Sequence, residues 1–202
     1  GTYDLIKKQR LFQGVTEGVS AYGNKFGVPI VGGELYFHER YNYAALSNSG
    51  VVGIVRTEHA LGQRQVEFQS PVLYVGAPTG RDGLSRFKQE NGAVLPSRGD
   101  RSACTLKISD PLLSNRIVSA CCEAVEAGVV RELVSVGAGG LAVACFDLAR
   151  RVNRPVLLDI DRIPLRGQGY EPLEIILSET TERVLMVVER QHHRTLNRIL
   201  YK

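Results

Sequence analysis

Four stretches combine residue types and spacings that could do chemistry. In "SVGAGGLAVA", Gly137, Gly139 and Gly140 stand where a predicted strand passes into a predicted helix. Glycines there let backbone N–H groups approach an anion, and the helix N-terminus adds partial positive charge. The G-x-G-G spacing lacks the later glycine and the acidic residue of a dinucleotide fingerprint, so a phosphate turn and a plain tight turn both remain open. In "GAPTGRDG", Arg81 suits a phosphate and Asp82 a metal ion or a ligand hydroxyl, unless the two pair with each other. In "IVGGELYFHERYN", Gly32 and Gly33 permit a bulge that would project Glu34, Glu39 and Arg40, either toward a ligand or along a solvated edge. In "LLDIDRIPLRGQGYEPLEIILSETTERVLMVVER", Asp159 and Asp161 share one face of a strand end and could hold Mg²⁺ or be a solvated strand end. In the same stretch, Glu179 lies between Ser178 and Thr180, which suits sugar hydroxyls or a helix C-cap.

The elements that must position these residues follow from periodicity. Apolar residues from Leu5 to Phe26 keep helical spacing, and Gly23, Asn24 and Gly27 supply stop signals. "VPIVGGELYF" and "GVVGIV" are rich in strand formers and read as two strands, and residues 57–70 read as a polar boundary. "PVLYVG" begins a second unit as a strand, and residues 84–103 form a long loop without a period. Asp110-Pro111 starts a helix that Gly128 ends. "VVRELVSV" is a strand, "GAGGLAVACFDLARRV" a helix, "PVLLDI" a strand, "EPLEIIL" a short helix, "RVLMVVE" the last strand and "HRTLNRIL" the last helix. That alternation predicts an α+β or α/β layer with helices packed on a sheet.

Composition narrows the function classes. The 202 residues are 44% hydrophobic and 23% charged with a net charge of +4, an ordinary globular balance that excludes disorder and coiled coil. Basic residues are scattered and Trp is absent, which argues against nucleic-acid binding. The apolar runs are too short to span a bilayer, so a cytoplasmic location is expected. Cys104, Cys121, Cys122 and Cys145 show no C-x-x-C spacing, and His38, His59, His192 and His193 bring no nucleophile motif. The cysteines are therefore read as reduced and mostly core.

The order of motifs is more specific than any one of them. "LFQGVTEGVSAYGNKFGVPIVGGELYFHERYN", "LYVGAPTGRDG", "DPLL", "VGAGGL" and "LDIDRIPLRGQGYEPLEIILSETTERVLMVV" together resemble the synthetase subunits of phosphoribosylformylglycinamidine synthase, in the aminoimidazole ribonucleotide synthetase superfamily. The resemblance implies an ATP- and Mg²⁺-dependent conversion of an amide to an amidine in purine biosynthesis, with ammonia supplied by a glutaminase subunit or domain. It implies an α+β fold, in which residues 70–202 form a C-terminal domain with a mixed sheet and packed helices. Residues 1–69 would be the C-terminal part of an N-terminal α/β domain. The family's catalytic His lies upstream of the matching stretch, so a preceding N-terminal segment of the same synthetase is expected and the chain alone is expected to be inactive. A homodimer or larger assembly is a further expectation.

Substrate and nucleotide contacts are implied at Glu34, Arg81, Asp82, Lys107, Gly137, Gly139, Gly140, Glu179, Thr180 and Thr181, with no catalytic residue assigned and metal ligands left open. Three positions depart from the family pattern. Lys107 in "LKISDP" replaces a Gln, Val134-Ser135 replaces a Gln-Asp whose carboxylate serves a metal, and Glu179-Thr180-Thr181 replaces Glu-Ser-Gln. These departures keep open an alternative, an inactive relative retained as a binding or scaffold component of a larger assembly.

Overall fold

The computed structural model describes residues 2–42, 46–62, 65–84 and 109–201. The chain divides into two compact units, Gly1–Val55 and Arg56–Lys202.

The first unit carries the expected helix, α1 (Thr2–Phe26), in which Tyr22 and Phe26 stack one turn apart at 5.7 Å between ring centroids. The two strands expected after it do not form: residues 28–38 and 46–56 contain no strand. Their side chains explain why. Val31 is 94% and Val52 99% exposed, so neither an apolar face nor a pairing edge is satisfied within the unit. β-propensity measures the fit to a paired, half-buried surface, and composition alone does not create one.

Among the described residues the second unit carries a three-stranded sheet in the order β1 (Val72–Gly76), β3 (Arg183–Val188), β2 (Val130–Ser135). Both pairings among the described residues are antiparallel, where a mixed sheet was expected; the parallel contact among them is an isolated bridge between Thr79 and Leu165. The central strand is buried at every residue. Val184, Met186 and Val188 point into one core with Ile117 and Ala124 of α2 (Pro111–Glu126) and Leu196 and Ile199 of α5 (His193–Leu200). Leu185 and Val187 point into the other, with Leu141, Ala144 and Leu148 of α3 (Gly140–Val152) and Ile175 of α4 (Pro172–Leu177). Helices thus cover both faces, and the α+β class holds. A bulge between Val130 and Glu132 shifts the alternation, so that Val130 joins the first core and Val134 the second.

Local chemistry sets the element ends. The Asp110 carboxylate accepts from the amides of Leu112 and Leu113 at 3.0 and 3.2 Å, and Pro111 opens α2 where its missing N–H costs nothing. Gly128 follows that helix at φ +70°. Among the described residues the expected strand "PVLLDI" does not form. Val156, Leu158 and Ile160 pack inward and Leu157 points out, as in a strand, yet residues 155–159 pair with no strand among the described residues and end in a 3₁₀ turn, Ile160–Arg162. Cys121 and Cys145 are partly buried and Cys122 is exposed. Burial pushes the Cys121 thiol up to about 11 and raises that of Cys145, so both act as small hydrophobes. Among the described residues, no helix is long and apolar enough to cross a membrane.

Candidate functional site

The second unit gathers two loops that are 98 residues apart in sequence. One leaves β1 and the other enters β3. Gly76 ends β1 at φ +123°, where a Cβ would stand 2.0 Å from the Glu182 carbonyl, so only glycine fits this crossing. The Ala77 amide donates to that carbonyl at 2.9 Å. The chain continues into Thr79, whose amide donates to the Pro164 carbonyl at 2.8 Å while its own carbonyl accepts from the Arg166 amide at 2.9 Å.

Arg183 stands at the centre, 1% exposed at the first position of β3. Its Nε donates to the Thr180 carbonyl at 2.7 Å, Nη1 to Thr79 Oγ1 at 3.0 Å and Nη2 to the Ser178 carbonyl at 2.6 Å. Burial pulls this guanidinium below the ordinary arginine range, against the opposing charge of Asp82. Tyr74 closes the group from β1, with its hydroxyl 3.1 Å from Thr79 Oγ1. Burial raises the Tyr74 phenol above its usual value, so it stays a neutral donor.

Asp82 is also buried. Its Oδ2 accepts from Thr180 Oγ1 at 2.5 Å and faces Arg166 Nη2 at 3.3 Å. The Gly80 amide donates to the same Thr180 hydroxyl at 2.8 Å, and the Glu179 amide to the Asp82 carbonyl at 2.8 Å. Glu179 then reaches the glycine turn ahead of α3, where its Oε1 accepts from the Gly139 amide at 3.0 Å. A carboxylate of the protein thus sits at the start of this helix, where the dipole favours negative charge. The turn is also tightly packed. A Cβ on Gly139 would lie 2.3 Å from Val143 Cγ2, and one on Gly140 2.5 Å from the carbonyls of Ile176 and Ser178. Gly137 alone of the three has open space beside it.

Asp82, Gly137, Gly139, Gly140, Glu179 and Thr180 therefore belong to one neighbourhood, and half-buried Thr181 follows them in the loop. Arg81 and Asp82 do not pair with each other. Arg81 Nε meets Glu174 Oε2 at 3.1 Å, Nη2 donates to the Gly169 carbonyl at 2.5 Å, and the guanidinium stacks 4.2 Å over the Tyr170 ring. Glu34 lies in the first unit, exposed, and accepts from the Tyr36 hydroxyl at 2.6 Å, which raises the phenol's pKa. Asp159 and Asp161 are exposed at the 3₁₀ turn. Lys107, Cys104 and the predicted loop after residue 84 lie outside the described residues. Among the described residues, no three His, Cys, Asp or Glu side chains gather as a metal site. A concavity of about 500 Å³ lined by Leu61, Gly62, Glu132, Leu133, Arg150 and Arg151 shares no residue with this network.

Sequence reasoning missed Tyr74, Thr79, Arg166 and Arg183. The available signal was an arginine opening the apolar run "RVLMVV", where a charge has no solvent to face and must be given partners. Glu182 was missed too. It adopts φ +56°, and its Oε1 accepts from Ser109 Oγ at 2.6 Å and Ser114 Oγ at 3.0 Å.

Comparison with known proteins gives the chain's family. The phosphoribosylformylglycinamidine synthase subunit PurL of Synechocystis sp. is 36% identical over 100% of the chain and 26% of its own length. Thermotoga maritima PurL complexed with FGAR superposes with a TM-score of 0.73 at 28% identity, over 94% of the chain and 31% of that structure. The same protein complexed with ATP gives 0.71 at 28% identity, over 92% and 28%. The chain spans about a quarter of the length of the curated relatives it matches. Residues 3–55 match the N-terminal domain of AIR synthase related proteins and residues 71–202 the C-terminal domain, and the chain belongs to this family.

Proposed function

We propose that the chain is part of an ATP-dependent formylglycinamidine ribonucleotide synthase. In that reaction ATP phosphorylates the amide oxygen of the formylglycinamide substrate, ammonia displaces the phosphate, and the products are the amidine, ADP and phosphate. The observation that carries the reading is the meeting of "TGRDG" and "LSETTER" in one buried network, because these segments carry part of the resemblance and hold half of the residues expected to face substrate. Identity to PurL over the whole chain supports it. The binding or scaffold alternative has no support among the relatives named above.

In this reading the chain's own residues bind and orient. Open space beside Gly137 and the 52% exposed Arg166 side chain next to Asp82 fit an anionic phosphate. The carboxylates of Asp82 and Glu179 are held by Thr180, Arg166 and Gly139, which fixes the loop that faces substrate hydroxyls. Glu34, Arg81, Lys107, Thr180 and Thr181 are the further contacts this reading carries. ATP supplies the phosphoryl group. Mg²⁺ would accompany it, but the described residues do not gather a donor set for the ion, so no step is routed through it. Ammonia comes from a glutaminase partner, and the remainder of the site comes from synthetase sequence beyond the matched quarter.

The test uses the full-length protein. With formylglycinamide ribonucleotide, MgATP and ammonium chloride, amidine should form only when ATP is present, and calorimetry should show both ligands binding. Absence of binding by either ligand would overturn the reading.

A further inference from the structure

We infer that Arg183 is the positioning residue of the ligand loops. This rests on the proposed function for its consequence, and on geometry alone for its premise. All three of its hydrogen bonds leave β3 for the two loops that carry the expected ligand contacts: Thr79 in one, and the carbonyls of Ser178 and Thr180 in the other. The guanidinium fork is planar, so one side chain fixes three acceptors in a single mutual orientation. Once Thr180 is held, its hydroxyl accepts from the Gly80 amide and donates to Asp82, and the Glu179 amide binds the Asp82 carbonyl. Glu179 is thereby aimed at the Gly139 amide. A chain of hydrogen bonds runs from Arg183 to both glycine turns.

A role confined to stability explains this placement poorly. The acceptors are two carbonyls and a hydroxyl, all neutral, while the cation is 1% exposed and has lost its water. Buried charges contribute little net stability, and apolar residues of similar volume often serve as well or better. Loop orientation is what this side chain supplies and an apolar one would not. Glu182, just before it, holds a left-handed φ of +56° and is tied to Ser109 and Ser114, so the loop enters β3 under backbone constraint from its other side as well.

The experiment compares Arg183→Lys, which keeps charge without the fork, and Arg183→Met with Leu148→Ala, a truncation in the core under α3, all in the full-length protein. Two readouts are taken: amide hydrogen exchange at Gly80, Gly139 and Glu179, and calorimetric affinity for formylglycinamide ribonucleotide and MgATP. The Arg183 variants should lose about tenfold or more in protection at those amides and about tenfold or more in affinity. Leu148→Ala should lower the melting temperature yet leave the affinity unchanged. Should Arg183→Met fail to fold, Thr79→Val removes the acceptor of Nη1 and should give the same pattern more weakly. Unchanged protection at Gly80 and Gly139 in folded Arg183→Lys overturns the inference, as does an affinity loss in Leu148→Ala equal to that in Arg183→Lys. If the wild-type protein binds neither ligand, the proposed function falls, and the exchange data still decide whether Arg183 orients the loops.

Discussion

The run Arg183–Val188 and the runs 28–37 and 51–55 have much the same supply of β-branched and apolar residues, and they fold differently. The first is the middle strand of a sheet with a partner on each side, and each of its residues is buried. The others form no strand, and Val31 and Val52 stand almost fully in solvent. The difference teaches that strand formation here follows from available partners more than from composition. The second unit contains its own pairing edges and two helix layers, whereas the described part of the first offers an exposed helix, a 3₁₀ turn and chain without regular structure.

The largest expected effect breaks this contrast open. Met186→Ala, at a fully buried position of β3, should cost about 2–5 kcal/mol through lost burial and a cavity. Val52→Ala should change stability by less than about 0.5 kcal/mol. Denaturant unfolding of the two variants measures both. Equal losses at the two positions would mean that Val52 is packed, and the contrast between the units would go.

Glycine gives the next comparison. Gly140 has φ +61°, and an added Cβ would press within 2.5 Å of two backbone carbonyls. Gly140→Ala should therefore destabilise by about 1–3 kcal/mol. At Gly53 nothing lies within 4 Å, and alanine there should be neutral or slightly stabilising through the unfolded chain. Thermal melts of the pair decide it, and a harmless Gly140→Ala would show that the turn ahead of α3 can yield.

The same contrast explains what could be read from the residues alone. Local signals were sufficient for α2, because Asp110, Pro111 and Gly128 act within a turn of where they stand. They were sufficient for α3 and β3, where periodicity and burial agree. They were not sufficient for "PVLLDI", since its in-out alternation is that of a strand but no strand among the described residues pairs with it. In the site, Asp82, Glu179 and Thr180 were legible because their motifs are compact. Arg183, Thr79 and Arg166 were not, because their roles come from contacts between segments about a hundred residues apart, such as Arg183 with Thr79, which no local spacing records.

A smaller effect tests the end of α2. Asp110→Ala removes the acceptor for two amides of the first turn and should cost about 1 kcal/mol. Asp110→Asn, which keeps an oxygen there, should recover most of that loss in the same melt. Failure of the asparagine to recover it would assign the effect to charge at the helix start and not to the hydrogen bonds.

The least effect on folding is expected at Ser135, the exposed last residue of β2, two positions before the open Gly137 turn. A carboxylate added at a strand end that already faces water loses little solvation, so Ser135→Asp should shift stability by under about 0.5 kcal/mol. Its effect on ligand binding should be larger. A serine hydroxyl is a neutral ligand, whereas a hard divalent cation favours anionic oxygen, and the described residues gather no cluster of carboxylates for one. On the proposed function, Ser135→Asp in the full-length protein should therefore tighten ATP binding in the presence of Mg²⁺ and weaken it slightly in the presence of a chelator. The dependence on the ion separates a new metal ligand from a general change in charge, because added negative charge by itself would weaken nucleotide binding under both conditions. An affinity that stays the same with and without Mg²⁺ would mean that the carboxylate missing at this position is not what limits metal binding.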